Sequence, residues 1–262
     1  MPDFDTSVPH SARVYDYWLG GKDNFAADRQ AGDRALEAYP DMVFSVRANR
    51  AFLARAVRYL VADAGIRQFL DIGTGIPTAS NTHEVAQQAA PDCRVVYVDN
   101  DPVVLAHARA LLTTTPQGKC HYVDADLRDP GTIMTAAAGT LDFTGPVAVM
   151  LLSVLHLVPD DTQARQIVAA LMAGCPAGSF LAISHPASDI DGMQTAEATR
   201  RLNRAQVAPA RLRDHAGVSS LFAGLDLVPP GLVRLPLWRP TSELEAASPG
   251  ALWAGVAGKR RL

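Results

Sequence analysis

Short apolar runs alternate with stretches of helical periodicity through the middle of this chain, and that alternation limits the fold more than any other feature. The runs lie at residues 68–72, 94–99, 120–123, 147–152 and 179–184. Helical spacing follows the first run to about residue 90, fills 102–112 after the second with Pro102 in its first turn, and fills 162–173 before the fifth. Strands separated by helices need right-handed crossovers, which give a mainly parallel sheet with helices on both faces. The expected class is therefore α/β.

The flanks are less regular. Within residues 41–64, Phe44, Ala48, Phe52, Val57, Leu60 and Val61 recur at helical steps with Arg47, Arg50, Arg55 and Arg58 between them, and Gly65 is placed to end that helix. Residues 192–214 read as helical with a break at Pro209, and 224–228 and 252–257 read as two closing strands, which brings the sheet to seven. The proline-rich segment 228–240 between those strands reads as extended surface coil. The expected organisation is one domain, with a helical cap over residues 1–64 and a ligand-binding core over 65–262 that carries an insert at about 190–220.

Composition removes several functional classes. A chain of 262 residues can bury a full α/β core without metals or disulfides, and Cys93, Cys120 and Cys175 are too scattered to form a disulfide scaffold. Residues 1–10 are polar and acidic, unlike a secretion signal, and the longest apolar run, 147–158, is too short for a membrane helix. A cytoplasmic protein that works away from membranes is expected. The formal charge of −3 and the lack of a basic block other than Lys259-Arg260-Arg261 disfavour a nucleic-acid surface. A small-molecule substrate is the expected partner.

The chemistry gathers at Asp71-Ile-Gly73-Thr-Gly75, between the first run and its helix, with Asp99 closing the next run. Ligands of parallel sheets collect outside the carboxyl ends of the strands, glycines let the backbone approach a ligand, and a carboxylate at the second strand end can accept hydrogen bonds from ribose hydroxyls. Two nucleoside classes suit such a crevice. A dinucleotide needs free amides and usually G-x-G-x-x-G, but Thr78 stands at the third glycine position and Pro77 has no N–H. S-adenosylmethionine has no phosphate and tolerates both departures. A plain strand-to-helix turn at Asp71–Gly75 and a helix-capping Asp99 are the structural alternatives.

The segments Phe69-Leu-Asp-Ile-Gly-Thr-Gly-Ile-Pro-Thr78, Val98-Asp-Asn-Asp-Pro102, Val123-Asp-Ala-Asp126 and Leu151-Leu-Ser-Val-Leu-His156 resemble a Rossmann-like, seven-stranded class I methyltransferase. Ala12-Arg-Val-Tyr-Asp-Tyr-Trp-Leu-Gly-Gly-Lys-Asp-Asn24, with Pro230-Gly and Trp238-Arg-Pro240, resembles the narrower DUF574 family of S-adenosylmethionine-dependent methyltransferases. The resemblance implies S-adenosyl-L-methionine as cofactor. Gly73, Thr74 and Gly75 would lie under its methionine and ribose, Asp71 would anchor the loop or the amino group, and Asp99 would hold the ribose. Asn100, Asp126 and Leu127 would flank the adenine, and Ser153 would lie beside the cofactor.

Other residues carry sharper and plainer readings side by side. His156 follows the fourth strand, where a proton acceptor could serve the methyl acceptor, although a lone histidine in an apolar run often has a structural role. Tyr15, Trp18, Lys22 and Asn24 are candidates for a lid over adenosine or sulfonium, with core packing as the alternative. No metal-ligating motif stands out. The alternatives to a methyltransferase are an NAD(P)-dependent oxidoreductase and a non-catalytic S-adenosylmethionine-binding protein, and the sequence specifies neither acceptor nor oligomeric state.

Overall fold

The computed structural model describes residues 5–260 except 79, 112, 113, 206 and 208, and gives the backbone alone for 107–111. Met1–Phe4, Arg261 of the terminal basic block and Leu112 at the end of the expected second helix of the core lie outside the described residues. Helices α1 (Ser11–Leu19), α2 (Ala26–Ala38) and α3 (Met42–Ala62) come first, followed by β1 (Gln68–Ile72), α4 (Thr82–Ala89), β2 (Arg94–Asp99) and α5 (Pro102–Leu111). Next are β3 (Lys119–Asp124), α6 (Pro130–Ala137), β4 (Ala148–Leu152), α7 (Asp161–Ala173), β5 (Phe180–Pro186), α8 (Gly192–Arg204) and α9 (His215–Ser220). The chain closes with β6 (Asp226–Leu227), β7 (Val233–Arg234), α10 (Glu243–Ala246) and β8 (Leu252–Gly258).

The sheet runs β3-β2-β1-β4-β5-β8-β6, with β7 also paired to β8. The first five strands are parallel, while β6, β7 and β8 join as antiparallel pairs. The order reverses between β1 and β4, so a crevice opens there above the strand ends.

Alternation along each strand feeds two apolar layers. Leu70, Ile72, Val96, Val98, Val149 and Leu151 pack with Ile133 of α6, Ile167 and Leu171 of α7 and Val218 of α9. On the other face, Phe69, Val95, Ala148 and Met150 pack with Phe52, Val57 and Leu60 of α3 and Val85 of α4. A third cluster joins Val14 and Trp18 of α1 to Ala31 and Ala35 of α2, Val46 of α3 and Ala198 of α8. Residues from α8 are thus packed with the amino-terminal helices, and Arg201 of α8 pairs with Glu37 of α2 at 2.9 Å. Among the described residues, no helix is long and apolar enough to cross a membrane.

Four expectations change. All seven expected strands form, but β7 adds an eighth within the segment read as coil. That segment is also packed down: Trp238 is fully buried against Phe52 and Tyr59, at ring-centroid distances of 5.3 and 5.9 Å. Arg55 holds it there by donating to the Trp238 carbonyl at 2.7 Å and the Leu235 carbonyl at 3.0 Å. The prolines prevent a long ladder without forcing the chain into solvent. The helix expected up to residue 214 ends at Arg204, and α9 begins only after Asp214 caps it through the Gly217 amide. Finally, α4 starts at Thr82 rather than directly after Pro77, because Asn81 and Glu84 form a capping box there.

Candidate functional site

A cavity of about 230 Å³ lies over the carboxyl ends of the parallel strands, roofed by α1, α3 and α8. Its floor begins at the turn after β1. Gly73 and Gly75 have φ of +74° and +65°, a region that glycine enters without strain. A Cβ on Gly73 would lie 2.3 Å from Val154 Cγ2, so the β1 turn is closed against the β4 turn at that point. Nothing lies within 4 Å of the equivalent atom on Gly75.

The amides of this turn are already engaged. Gly73 N–H donates to the Val98 carbonyl at 2.8 Å, Thr74 N–H to the same oxygen at 3.4 Å, and Gly75 N–H to Asp99 Oδ2 at 2.9 Å. With Pro77 lacking a donor and α4 starting at Thr82, these amides offer no ready cradle for a pyrophosphate. The Asp99 carboxylate beside them would also repel one. The residues present suit a phosphate-free nucleoside, and S-adenosylmethionine meets that requirement.

Asp99 is held in a single orientation, since its other oxygen accepts from Asp101 N–H at 3.0 Å. Burial raises its pKa, and the two amides oppose that rise without cancelling it. Each carboxylate oxygen has a lone pair left for a sugar hydroxyl. Asp71 is more deeply placed: burial pushes its pKa up to about 6 while Thr82 Oγ1, donating at 2.6 Å, pulls the other way. Arg50 of α3 lines the cavity near Asp71 and donates to the Ser80 carbonyl at 2.9 Å.

Of the remaining expected cofactor contacts, Asn100, Asp126, Leu127 and Ser153 all line the cavity. Asp126 also has structural duties. It accepts from Arg128 N–H at 2.8 Å, pairs with the Arg128 guanidinium at 3.2 Å and meets Asn100 Nδ2 at 3.4 Å. Leu127 belongs to the core beneath the site. Ser153 has φ of +52°, uncommon for a residue with a side chain, and its N–H donates to Ser184 O at 2.9 Å.

The lid candidates divide. Tyr15 and Trp18 line the cavity, but Lys22 and Asn24 do not. Lys22 is exposed, and Asn24 is buried in the turn after α1, where its Nδ2 donates to Asp16 Oδ2 at 2.8 Å and to Gly21 O at 3.0 Å. Asn24 therefore fastens the turn between α1 and α2. Trp18 mainly packs the cap, with its indole N–H directed to Gly32 O at 3.3 Å.

His156 also lines the cavity, and its buried Nδ1 has no hydrogen-bond partner among the described residues. Burial pushes its pKa down to about 4, aided by the charge of Arg213, so the ring is neutral near pH 7. His185 beside it is structural. Its Nδ1 lies 2.8 Å from Pro186 O and its Nε2 2.8 Å from Arg213, which fixes the proton on Nδ1, and burial pushes its pKa down to about 3.

Two residues, Asn49 and His10, line the cavity without having stood out in the sequence. Asn49 of α3 accepts from Ser184 Oγ at 2.6 Å and donates to Tyr15 Oη at 3.0 Å, so one amide ties β5 to the cap. His10 and Arg13 bring the start of α1 to Asp101, at 2.7 and 3.5 Å, two residues beyond Asp99. The only available signal for Asn49 was a polar residue on the apolar side of an amphipathic helix.

A family model described as S-adenosyl methyltransferase matches residues 1–260 of the chain. The chain is 44% identical to a DUF574 family protein from Streptomyces avermitilis, covering 97% of this chain and 99% of that one with a TM-score of 0.94. It is 38% identical to a Thermobifida fusca protein provisionally classed as a methyltransferase, covering 99% and 98% of the two chains with a TM-score of 0.91. The plantazolicin methyltransferase BpumL, solved with a substrate analogue and S-adenosylhomocysteine, shares the fold at 11% identity, 95% coverage of both chains and a TM-score of 0.54. A search among curated proteins gave no match.

Proposed function

Because the chain belongs to the S-adenosyl methyltransferase family and is an S-adenosylmethionine-dependent methyltransferase, we propose that the cavity over β1, β2 and β4 holds this cofactor beside a small-molecule acceptor. The observation that carries the placement is the engagement of the Gly73, Thr74 and Gly75 amides with Val98 and Asp99, which favours a nucleoside without phosphates. When bound, the cofactor supplies an electrophilic methyl group on its sulfonium.

The protein's own residues then have separable tasks. Asp99, oriented by two backbone amides, accepts the ribose hydroxyls. Asp71 keeps the loop against α4 through Thr82 and offers negative charge to the cofactor's amino group. Asn100, Asp126 and Leu127 border the adenine, Gly73, Thr74 and Gly75 form the floor, and Ser153 lies at the seam with the acceptor. Residues 1–64 act as a cap of the same domain, with Tyr15 and Trp18 closing the roof and excluding water. Alignment and dryness are what methyl transfer most needs from a protein. The protein works in the cytoplasm on a small molecule rather than on nucleic acid.

Titration calorimetry with S-adenosylhomocysteine, S-adenosylmethionine, NADH and NADPH tests the reading. Micromolar binding of the two sulfur nucleosides with none of the dinucleotides is expected. Preferential binding of NADH or NADPH would overturn it.

A further inference from the structure

The cavity is divided by charge. Its formally charged side chains, Arg50, Asp71, Asp99, Asp126 and Arg128, come from the ends of β1, β2 and β3 or from α3, with Arg128 reaching the seam to donate to the Leu157 carbonyl at 2.7 Å. The other half, over β4, β5 and β8, is lined by Trp18, Met42, Val46, Leu202, Val207 and Leu212, and no formally charged side chain lines it among the described residues.

Polar groups in that second half are engaged with the protein itself. Tyr15 Oη donates to Val46 O at 3.2 Å, Tyr39 Oη to Asp191 at 3.3 Å, and Thr199 Oγ1 to Thr195 O at 2.9 Å. Asn49 is held between Tyr15 and Ser184. His156 stands apart in this half, because its Nδ1 has no hydrogen-bond partner among the described residues.

We propose that this half is the acceptor subsite and that it takes an uncharged, largely apolar molecule, of the phenol class, whose hydroxyl hydrogen-bonds to the His156 ring. The inference rests on the methyltransferase reading above and deepens it. An ionised carboxylate, phosphate or ammonium entering this half would lose its hydration, and the nearest cations, Arg128 and Arg213, are already paired with Asp126 and Asp161, so burying it costs several-fold more than burying a hydroxyl that finds a partner. The neutral imidazole can accept the hydroxyl hydrogen, and the aliphatic and indole walls accept the carbon skeleton.

The test is calorimetry on the full chain, first with S-adenosylhomocysteine alone, then on the protein saturated with it. Phenol, 2-naphthol and 4-phenylphenol are titrated at pH 7 beside benzoate, 2-naphthoate and biphenyl-4-carboxylate. At least one phenol should bind with Kd below millimolar and at least tenfold more tightly than its carboxylate. His156→Phe should weaken that phenol about tenfold, and His156→Gln, which keeps an acceptor atom, should restore part of the loss. Thr199→Arg, which places a cation in the same half, should shift preference toward the carboxylate while leaving the S-adenosylhomocysteine affinity within twofold. Carboxylates binding as well as phenols, no binding by any phenol, or indifference to both His156→Phe and Thr199→Arg would overturn the acceptor assignment while leaving the cofactor reading intact. Failure of S-adenosylhomocysteine to bind in the first titration would instead remove that reading and this one with it.

Discussion

The half of the cavity over β1, β2 and β3 and the half over β4, β5 and β8 are built in different ways. The first is made at strand ends by residues close in sequence: a glycine turn, a carboxylate fixed by the amide of Gly75, and a second carboxylate fixed by Thr82. The second is assembled from α1, α3, α8 and the loop after it, segments far apart in sequence that meet only when the cap packs. The contrast shows a charged, locally encoded pocket joined to an apolar, tertiary one. The two meet where Gly73 touches Val154.

The largest expected effect breaks that seam. Gly73→Ala combines a left-handed backbone with a Cβ 2.3 Å from Val154, so unfolding free energy should fall by about 3 kcal/mol in chemical denaturation. Adding Val154→Ala should recover part of this loss, since the 2.3 Å contact with Cγ2 goes while the 2.7 Å contact with Val154 Cβ and the backbone strain remain. No recovery would mean that the two turns are not in contact.

Asp99→Ala sharpens the comparison from the charged side. Loss of charge-assisted hydrogen bonds, worth about 1.5–3 kcal/mol, should weaken S-adenosylhomocysteine roughly ten- to a hundred-fold by calorimetry. An unchanged affinity would remove Asp99 from the cofactor contacts.

Acid separates the halves through their buried titrating groups. His156 and His185 are pushed down to about 4 and 3, so the unfolded chain takes up their protons first and stability is lost as pH falls from about 6.5. Asp71, pushed up to about 6, works in reverse: the folded state takes its proton first, which adds stability over the same range. Two histidines outweigh one aspartate, and a net loss of about 2 kcal/mol is expected between pH 7 and 5 in denaturant titrations. A rise in stability toward pH 5 would contradict the buried neutral histidines.

The smallest effect is again at Asp71. Replacing a buried charge with the isosteric amide, Asp71→Asn should raise stability at pH 7.5 by about 1–2 kcal/mol while weakening cofactor binding. A variant destabilised at that pH would show that the ionised carboxylate supports the fold.

The same division explains what was legible in the sequence. The five parallel strands and the Asp71, Gly73, Gly75 and Asp99 constellation were readable because short apolar runs, buried on both faces of the sheet, and turn chemistry are local properties. The apolar half was not, because Asn49 reads as one polar residue on a helix until Ser184, 135 positions away, meets it. Proline misled at 228–240: it marks the absence of a ladder, whereas the burial of Trp238 depends on Phe52 and Tyr59 in α3. Lys22 and Asn24 lie in the same short motif as Tyr15 and Trp18, but α1 ends at the left-handed Gly20 between the pairs, so only Tyr15 and Trp18, on the helix, line the cavity.

A crystal structure of the chain soaked with S-adenosylhomocysteine tests the central claim most directly. Both ribose hydroxyls should lie within about 2.5–3.2 Å of the Asp99 carboxylate, with the sulfur turned toward Ser153 and the half that holds His156. A ribose bound elsewhere, or a sulfur facing away from that half, would contradict the account.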